Sequence, residues 1–313
     1  MEKTRIKAFL KNNKMLLGKE FELTDRKSGE SNHNFIIKSR GEKYVLRVSK
    51  NVSRRSRLQE EAKALEFLEE DGVKEIPEKE WFGETEIGAV LIETYVGNED
   101  LEKGDFTDEE LGKSAKLLAE IHLTPIKKYN NFFNTEKEDK ASLREIYATE
   151  YKKWSERPYR EYLEIAEETD ERVEKAYEKQ ERLFEDVPDI KVSQRPVHGD
   201  LGFNVRRSGE KIFFVDWEYF TAGYPGHDIV YFFEHEGLSM GQRELFLEEY
   251  RKHRELGEEF EENRERYRKF LAFNDAVWAV KRIERGVGDE KKMRGIFEDR
   301  IGQLEDLHGG LSG

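Results

Sequence analysis

Cysteine is absent from the 313 residues, which excludes a disulfide framework, a thiolate metal site and a cysteine nucleophile. No run approaches the roughly 18 apolar residues of a membrane span, and the N-terminal MEKTRIKAFL lacks the apolar centre of a signal peptide. The expectation is a soluble, cytoplasmic protein without a membrane partner. Positive charge is in the minority, with 55 Lys and Arg against 68 Asp and Glu, a net charge of −13. A nucleic-acid binder needs a basic surface for its phosphate contacts, so this balance argues against one and leans toward a cationic partner. Internal repeats and low-complexity linkers are also missing. What is present is length enough for two domains with sizeable cores.

The hydrophobic period changes along the chain. Ile6, Phe9, Leu10 and Leu16 sit at helical spacing and predict a short amphipathic helix over 2–16. FELTD, NHNFIIKS and EKYVLRVS follow as short β-branched and aromatic runs, separated by SGES and by Arg40-Gly41, and read as an antiparallel meander. Residues 53–71 return to helical spacing and stop at Asp71-Gly72, after which two more strands lie near 79–86 and 88–95. The expectation is a five-stranded antiparallel sheet with one helix inserted after its third strand. Beyond Val96-Gly97 the pattern is helical. Thr107 is the N-cap of a helix to about Leu123, two charged helices over 141–186 break near Pro158, and further helices lie near 227–236, 240–253, 257–285 and 290–306.

Two stretches carry chemistry. Val197 to Asn204 reads VHGDLGFN, and Phe213 to Trp217 reads FFVDW. An Asp beside a His and an Asn, followed by a second Asp at the end of an apolar strand, is a phosphoryl-transfer layout. One carboxylate orients the attacking hydroxyl and accepts its proton, while the Asn and the other carboxylate hold Mg²⁺. The residues fit the kinase pattern HRDxxxxN followed by DFG, with Gly199 for Arg, Trp217 for Phe, and Asn204 one position closer to its Asp than the pattern has it. In that altered form the stretch resembles the aminoglycoside phosphotransferase and choline kinase family of small-molecule kinases.

The resemblance implies a bilobal α+β fold of the protein-kinase type. A small N-terminal nucleotide-binding lobe of sheet and helix would cover 1–96, and a larger helical lobe over 97–313 would hold the catalytic and acceptor residues. It implies ATP and Mg²⁺ as cofactors and a small-molecule hydroxyl as phosphoryl acceptor. Asp200 would be the catalytic base, Asn204 and Asp216 the metal ligands, and His198 a structural support of their loop. Arg47 in YVLRVS would pair with phosphates and with Glu61, with Glu60 as the neighbouring alternative. Ser28, Gly29, Ser31 and Asn32 would form the flap over the phosphates. Backbone groups of Glu93 and Tyr95 would meet the adenine.

Asp228, in GYPGHDIVYFF, matches the family's GxPxxD element and would pin the catalytic loop. For the acceptor, the candidates are Trp217, Glu218, Glu234, Glu236, Asn274, Asp275 and Trp278, since carboxylates beside aromatics suit an amine or quaternary ammonium. Two other readings compete. A protein kinase is disfavoured because Gly223 and Asp228 follow Asp216 too closely to leave a peptide platform, and a non-catalytic nucleotide binder is suggested by the short spacing at Asn204.

Overall fold

The computed structural model describes residues 3–12, 21–25, 32–50, 52–97, 99–100 and 105–306. They form two compact units. The first comprises Met1–Lys137, Arg195–Ala222 and His235–Glu255, and the second Glu138–Gln194, Gly223–Glu234 and Leu256–Gly313.

The first unit begins with helix α1 (Lys3–Asn12) and a five-stranded antiparallel sheet of β1 (Glu22–Asp25), β2 (Asn32–Ser39), β3 (Glu42–Ser49), β4 (Lys79–Thr85) and β5 (Gly88–Thr94), ordered β1-β2-β3-β5-β4. The predicted meander and its inserted helix, α2 (Val52–Glu70), are both present. The β2–β3 register closes at Ser39↔Glu42. Arg40 and Gly41 have φ of 54° and 84°, the two positive values that a two-residue hairpin matched to strand twist requires.

Side-chain alternation then sorts the sheet into two faces. Tyr44, Leu46 and Val48 of β3, with Val90 and Ile92 of β5, join Ile6, Phe9 and Leu10 of α1 in one buried cluster. The opposite face carries Val45 and Arg47, paired in register with Glu93 and Leu91. Arg47 is therefore on the central strand, not on an edge.

The same unit contains helix Asp108–Leu123, whose N-terminus is closed by the expected Thr107 cap. Thr107 and Glu110 satisfy each other's backbone N–H groups as a capping box. Strands Val205–Ser208 and Lys211–Phe214 form a hairpin downstream of the HGD stretch. The two-residue strand Glu99–Asp100 adds to its edge, opposite Arg206 and Arg207.

The second unit is mainly helical. Helix Glu259–Glu284 packs on helix Glu290–Asp306, and Phe273, Val277 and Val280 meet Phe297, Ile301 and Leu304 in its core. The predicted break near Pro158 is not there. Helix Leu143–Tyr151 runs through a π turn, Lys152–Glu156, directly into helix Arg157–Leu163. Proline has no N–H to give and its ring crowds the carbonyl one turn earlier. The π turn widens the helix just ahead of it, with the Arg157 N–H reaching back to the Lys152 carbonyl. Among the described residues no helix is long and apolar enough to cross a membrane.

Candidate active site

The HGD loop is held from below by its histidine. His198 is fully buried, its ring tilted against Trp217 with centroids 4.3 Å apart. Its Nε2 lies 3.0 Å from the Val215 carbonyl oxygen, and its Nδ1 lies 3.3 Å from the Asp200 backbone nitrogen. A carbonyl only accepts and an N–H only donates, so both contacts are satisfied by one neutral tautomer with its proton on Nε2. The ring thus ties the loop of Asp200 to the segment that ends at Asp216, the structural part expected of it. Gly199 explains the missing Arg of the kinase pattern. Its φ is 80°, and a Cβ there would stand 2.5 Å from the Tyr219 carbonyl oxygen, so only glycine fits.

Asn204 lies where the loop enters the hairpin. Its backbone carbonyl accepts from the Val215 N–H at 2.9 Å, which sets it beside Asp216. Its Nδ2 donates to the Asp200 carbonyl at 2.6 Å. The shorter loop therefore still brings Asp200, Asn204 and Asp216 together.

Arg47 joins this group from the sheet. It is 7% exposed, and its guanidinium donates to Glu61, which is fully buried in α2, and at 2.9 Å to Asp216 Oδ1. Asp216 itself has φ 66°, a left-handed conformation that Asp tolerates better than most residues. Burial works against the Arg47 charge, but Glu61, Asp216 and Glu93 hold its pKa well above the ordinary value. Burial and the neighbouring Asp216, Glu93 and Glu218 push the Glu61 carboxyl up in spite of Arg47. For Asp216, desolvation is outweighed by the charge and hydrogen bond of Arg47, with help from Arg206, so its carboxyl is held below the usual range. One guanidinium thus faces several carboxylates, an arrangement with room for further positive charge.

The donor set fits Mg²⁺. Asn204 Oδ1 and Asp216 Oδ2 make no hydrogen bond among the described residues. Both are hard oxygen donors, and Mg²⁺ keeps several waters and needs few protein ligands.

Other expected site residues are placed less uniformly. Ser28, Gly29 and Ser31 lie outside the described residues, while Asn32 opens β2 and is 2% exposed. The Glu93 carboxylate is close enough to act on both Arg47 and Glu61. The Tyr95 N–H, expected to meet the adenine, is bonded instead to the Lys43 carbonyl at 3.1 Å. That bond to β3, just past the end of β5 at Thr94, consumes the donor.

Trp217 is fully buried, with its indole N–H on the Phe214 carbonyl at 3.1 Å. It is a core residue beneath His198 and offers no surface to an acceptor. Glu218 is 7% exposed, and its carbonyl accepts from Arg57 at 3.4 Å. In the second unit, Asp228 is fully buried in the first turn of helix Pro225–His235, and Glu234 is partly exposed on the same helix. Asp275 is neutralised by Arg300 at 2.9 Å, while Trp278 is 43% exposed beneath the Arg282 guanidinium.

Sequence reasoning gave no role to Phe203 or Arg57. Phe203 stands between Asp200 and Asn204 with φ 63°, and Arg57 of α2 covers the Tyr219 ring at 4.6 Å. Position between two site residues was the only signal for Phe203, and Arg57 had none.

Known proteins match this architecture. A LicA homolog of Metamycoplasma hominis is 42% identical over 67 residues, covering 21% of this chain. The chain spans about a quarter, 24%, of that relative's length. The crystal structure of choline kinase LicA from Streptococcus pneumoniae superposes with a TM-score of 0.70 at 19% identity, over 97% of this chain and 99% of that one. The GDP complex of wild-type aminoglycoside 2′-phosphotransferase-IIIa gives 0.69 at 15% identity, over 96% and 99%. Likeness at these identities shows a shared fold, the kinase-like one that the sequence led us to expect. The model of the phosphotransferase enzyme family matches residues 22–270, most of the length, and the chain belongs to that family.

Proposed function

We propose that the protein transfers the γ-phosphoryl group of ATP to a hydroxyl of a small molecule. What supports this most directly is that Arg47, paired with Glu61, also pairs with Asp216, whose neighbour Val215 is bonded to Asn204 and to His198 in the loop that carries Asp200. Arg47 would bind the α and β phosphates, with the Ser28–Asn32 loop above them and backbone groups after β5 on the base. Asp200 would orient the acceptor hydroxyl and take its proton. The acceptor oxygen then forms a bond to the γ-phosphorus, and the bond from that phosphorus to the bridging oxygen breaks, leaving its electron pair on ADP. Asn204 Oδ1 and Asp216 would hold Mg²⁺, which when bound neutralises charge on the phosphates.

Little covalent chemistry is asked of the protein, so its contribution is positioning and electrostatics. The acidic surplus around Arg47 and in the whole chain favours an acceptor with cationic character, of the choline, aminoglycoside or amino-sugar type, with Glu218 as the candidate contact in the first unit. A cytoplasmic location follows from the use of ATP.

A coupled ADP-release assay with Mg²⁺ over a panel of choline, ethanolamine, amino sugars and aminoglycosides tests this proposal. The expected result is acceptor-dependent ADP release with one compound well ahead of the others. Phosphorylation of a protein substrate alone, or nucleotide binding without turnover of any acceptor, would overturn it.

A further inference from the structure

Leu201, Gly202, Phe203 and Asn204 form a tight turn closed by the Asn204 N–H on the Leu201 carbonyl at 3.2 Å. Phe203 is its third residue and has φ 63°, so this is the position where turn chemistry calls for Gly or Asn. The glycine stands one place earlier. A Cβ on Gly202 would lie 2.3 Å from the His235 Cβ, so that glycine is needed for close packing and cannot be exchanged with its neighbour. An aromatic residue therefore occupies the left-handed position of this turn.

The strain is imposed from both sides. The buried Glu236 accepts from the Phe203 N–H at 2.9 Å, and Arg206 donates to the Phe203 carbonyl at 2.9 Å. Such conformations persist only where the surroundings fix them, and they gather at ligand contacts. Nor does the ring repay the strain by burial. It is 51% exposed and touches His235 edge to face at 5.1 Å.

We propose that Phe203 is a specificity-determining residue whose exposed ring packs against the acceptor molecule. This rests on the phosphotransferase function proposed above. The turn holds Phe203 close to the base, because the next residue, Asn204, holds the Asp200 carbonyl at 2.6 Å with its Nδ2, and a hydroxyl presented to Asp200 would bring its own molecule near this turn. The phosphates are the wrong partner for the ring. An aromatic face is electron-rich and has no donor, so it repels phosphate oxygens and attracts the carbons of an alkylammonium group. The class recognised is a small alcohol with an alkyl or ammonium carbon next to its reacting hydroxyl.

Phe203→Gly and Phe203→Asn both suit the left-handed backbone, so neither is expected to lose the fold. The parent is first assayed with choline, ethanolamine and gentamicin, and the best of the three is used for the variants. Both variants should melt at or above the parent temperature and raise the KM for that acceptor at least about tenfold, with the KM for ATP within about twofold of the parent, while Phe203→Tyr should retain the parent KM. An unchanged acceptor KM in an active Phe203→Gly protein overturns the inference and leaves the proposed function standing. Equal changes in both KM values with a lower melting temperature would make the ring structural and overturn it too. If the parent turns over ATP but no acceptor, the proposed function and this inference fall together.

Discussion

Arg47 and Asp216, 169 positions apart in the chain, are joined by a 2.9 Å ion pair whose other end is the buried Glu61. The central strand, the inserted helix and the segment that follows the hairpin in the first unit are thus fastened at one guanidinium. A bidentate, always-charged group on a rigid strand is suited to this, since it can face two carboxylates at once without being deprotonated. Three carboxylates act on that one cation, Glu61, Asp216 and Glu93, and a bound Mg²⁺ would offset the negative surplus.

Removing the guanidinium separates its two tasks. Arg47→Ala leaves Glu61 buried without its counter-charge and should cost about 3–5 kcal/mol in chemical denaturation. The double variant Arg47→Met, Glu61→Leu should recover most of that loss, because the fully buried Glu61 carboxylate no longer stands without its counter-charge. Neither should regain parent ATP affinity. A double variant as unstable as Arg47→Ala would show that the pair is not the source of the loss.

Much of this arrangement was legible in the sequence. The five strands and α2 follow from hydrophobic period and turn residues, and the order of Arg47, Glu61, Asp200, Asn204 and Asp216 marked a site before any coordinates. What escaped has physical causes. Strands of two to four residues such as Glu99–Asp100 and Lys140–Ser142 are too short to show a period. Pro158 reads as a break because single-residue logic does not foresee that a π turn can absorb it. Trp217 looked like a ligand contact since its neighbour is Asp216, and only packing reveals that it lies under His198. The left-handed Phe203 contradicts turn propensity and was invisible for that reason.

Asp200→Asn preserves shape and removes the proton acceptor. Turnover should fall at least about a hundredfold, the usual scale for a positioned acid or base, with ATP affinity close to that of the parent. Steady-state rates and nucleotide titration check both halves, and turnover within a few-fold of the parent would take the base assignment away.

Gly199→Ala sets a side chain against backbone. With φ 80° and a Cβ 2.5 Å from the Tyr219 carbonyl oxygen, it should lose at least about 2 kcal/mol and most of the activity. Gly209 provides the control. It has φ 61° but nothing within 4 Å, so Gly209→Ala should cost only about 1 kcal/mol. Equal losses from urea unfolding would mean that backbone conformation, not the Tyr219 contact, fixes the HGD loop.

The Glu110 carboxyl gives a pH signature. It accepts from Arg207 Nε at 2.5 Å and Nη2 at 3.0 Å and closes the Thr107 capping box. Some burial opposes its charge, but Arg207 and Thr107 outweigh that and lower its pKa. A group lowered in the folded state stabilises above its unfolded pKa, about 4.3, and the contribution is lost as pH falls through the folded value. Glu110→Gln keeps the box and removes the charge, so it should be about 1 kcal/mol less stable than the parent near pH 7. That gap should hold down to about pH 5 and close at lower pH. A gap that is constant down to pH 3 in urea titrations would rule out the charge as its source.

Asn204 has two jobs that two substitutions can divide. Its Nδ2 holds the Asp200 carbonyl at 2.6 Å, and its Oδ1 is a candidate metal ligand. Asn204→Leu removes both and should lower stability by about 1–3 kcal/mol, the cost of an orphaned buried acceptor, while raising the Mg²⁺ needed for half-maximal activity. Asn204→Asp loses the donor but keeps a hard oxygen with added charge. It should share the stability loss and yet need no more Mg²⁺ than the parent. Titrating Mg²⁺ against activity in both variants, together with their melting curves, separates the roles. Identical Mg²⁺ curves for Asn204→Leu and the parent would leave Asn204 as a loop clamp only, and the shortened spacing from Asp200 would then mark a site that holds its metal through Asp216 without help from this amide.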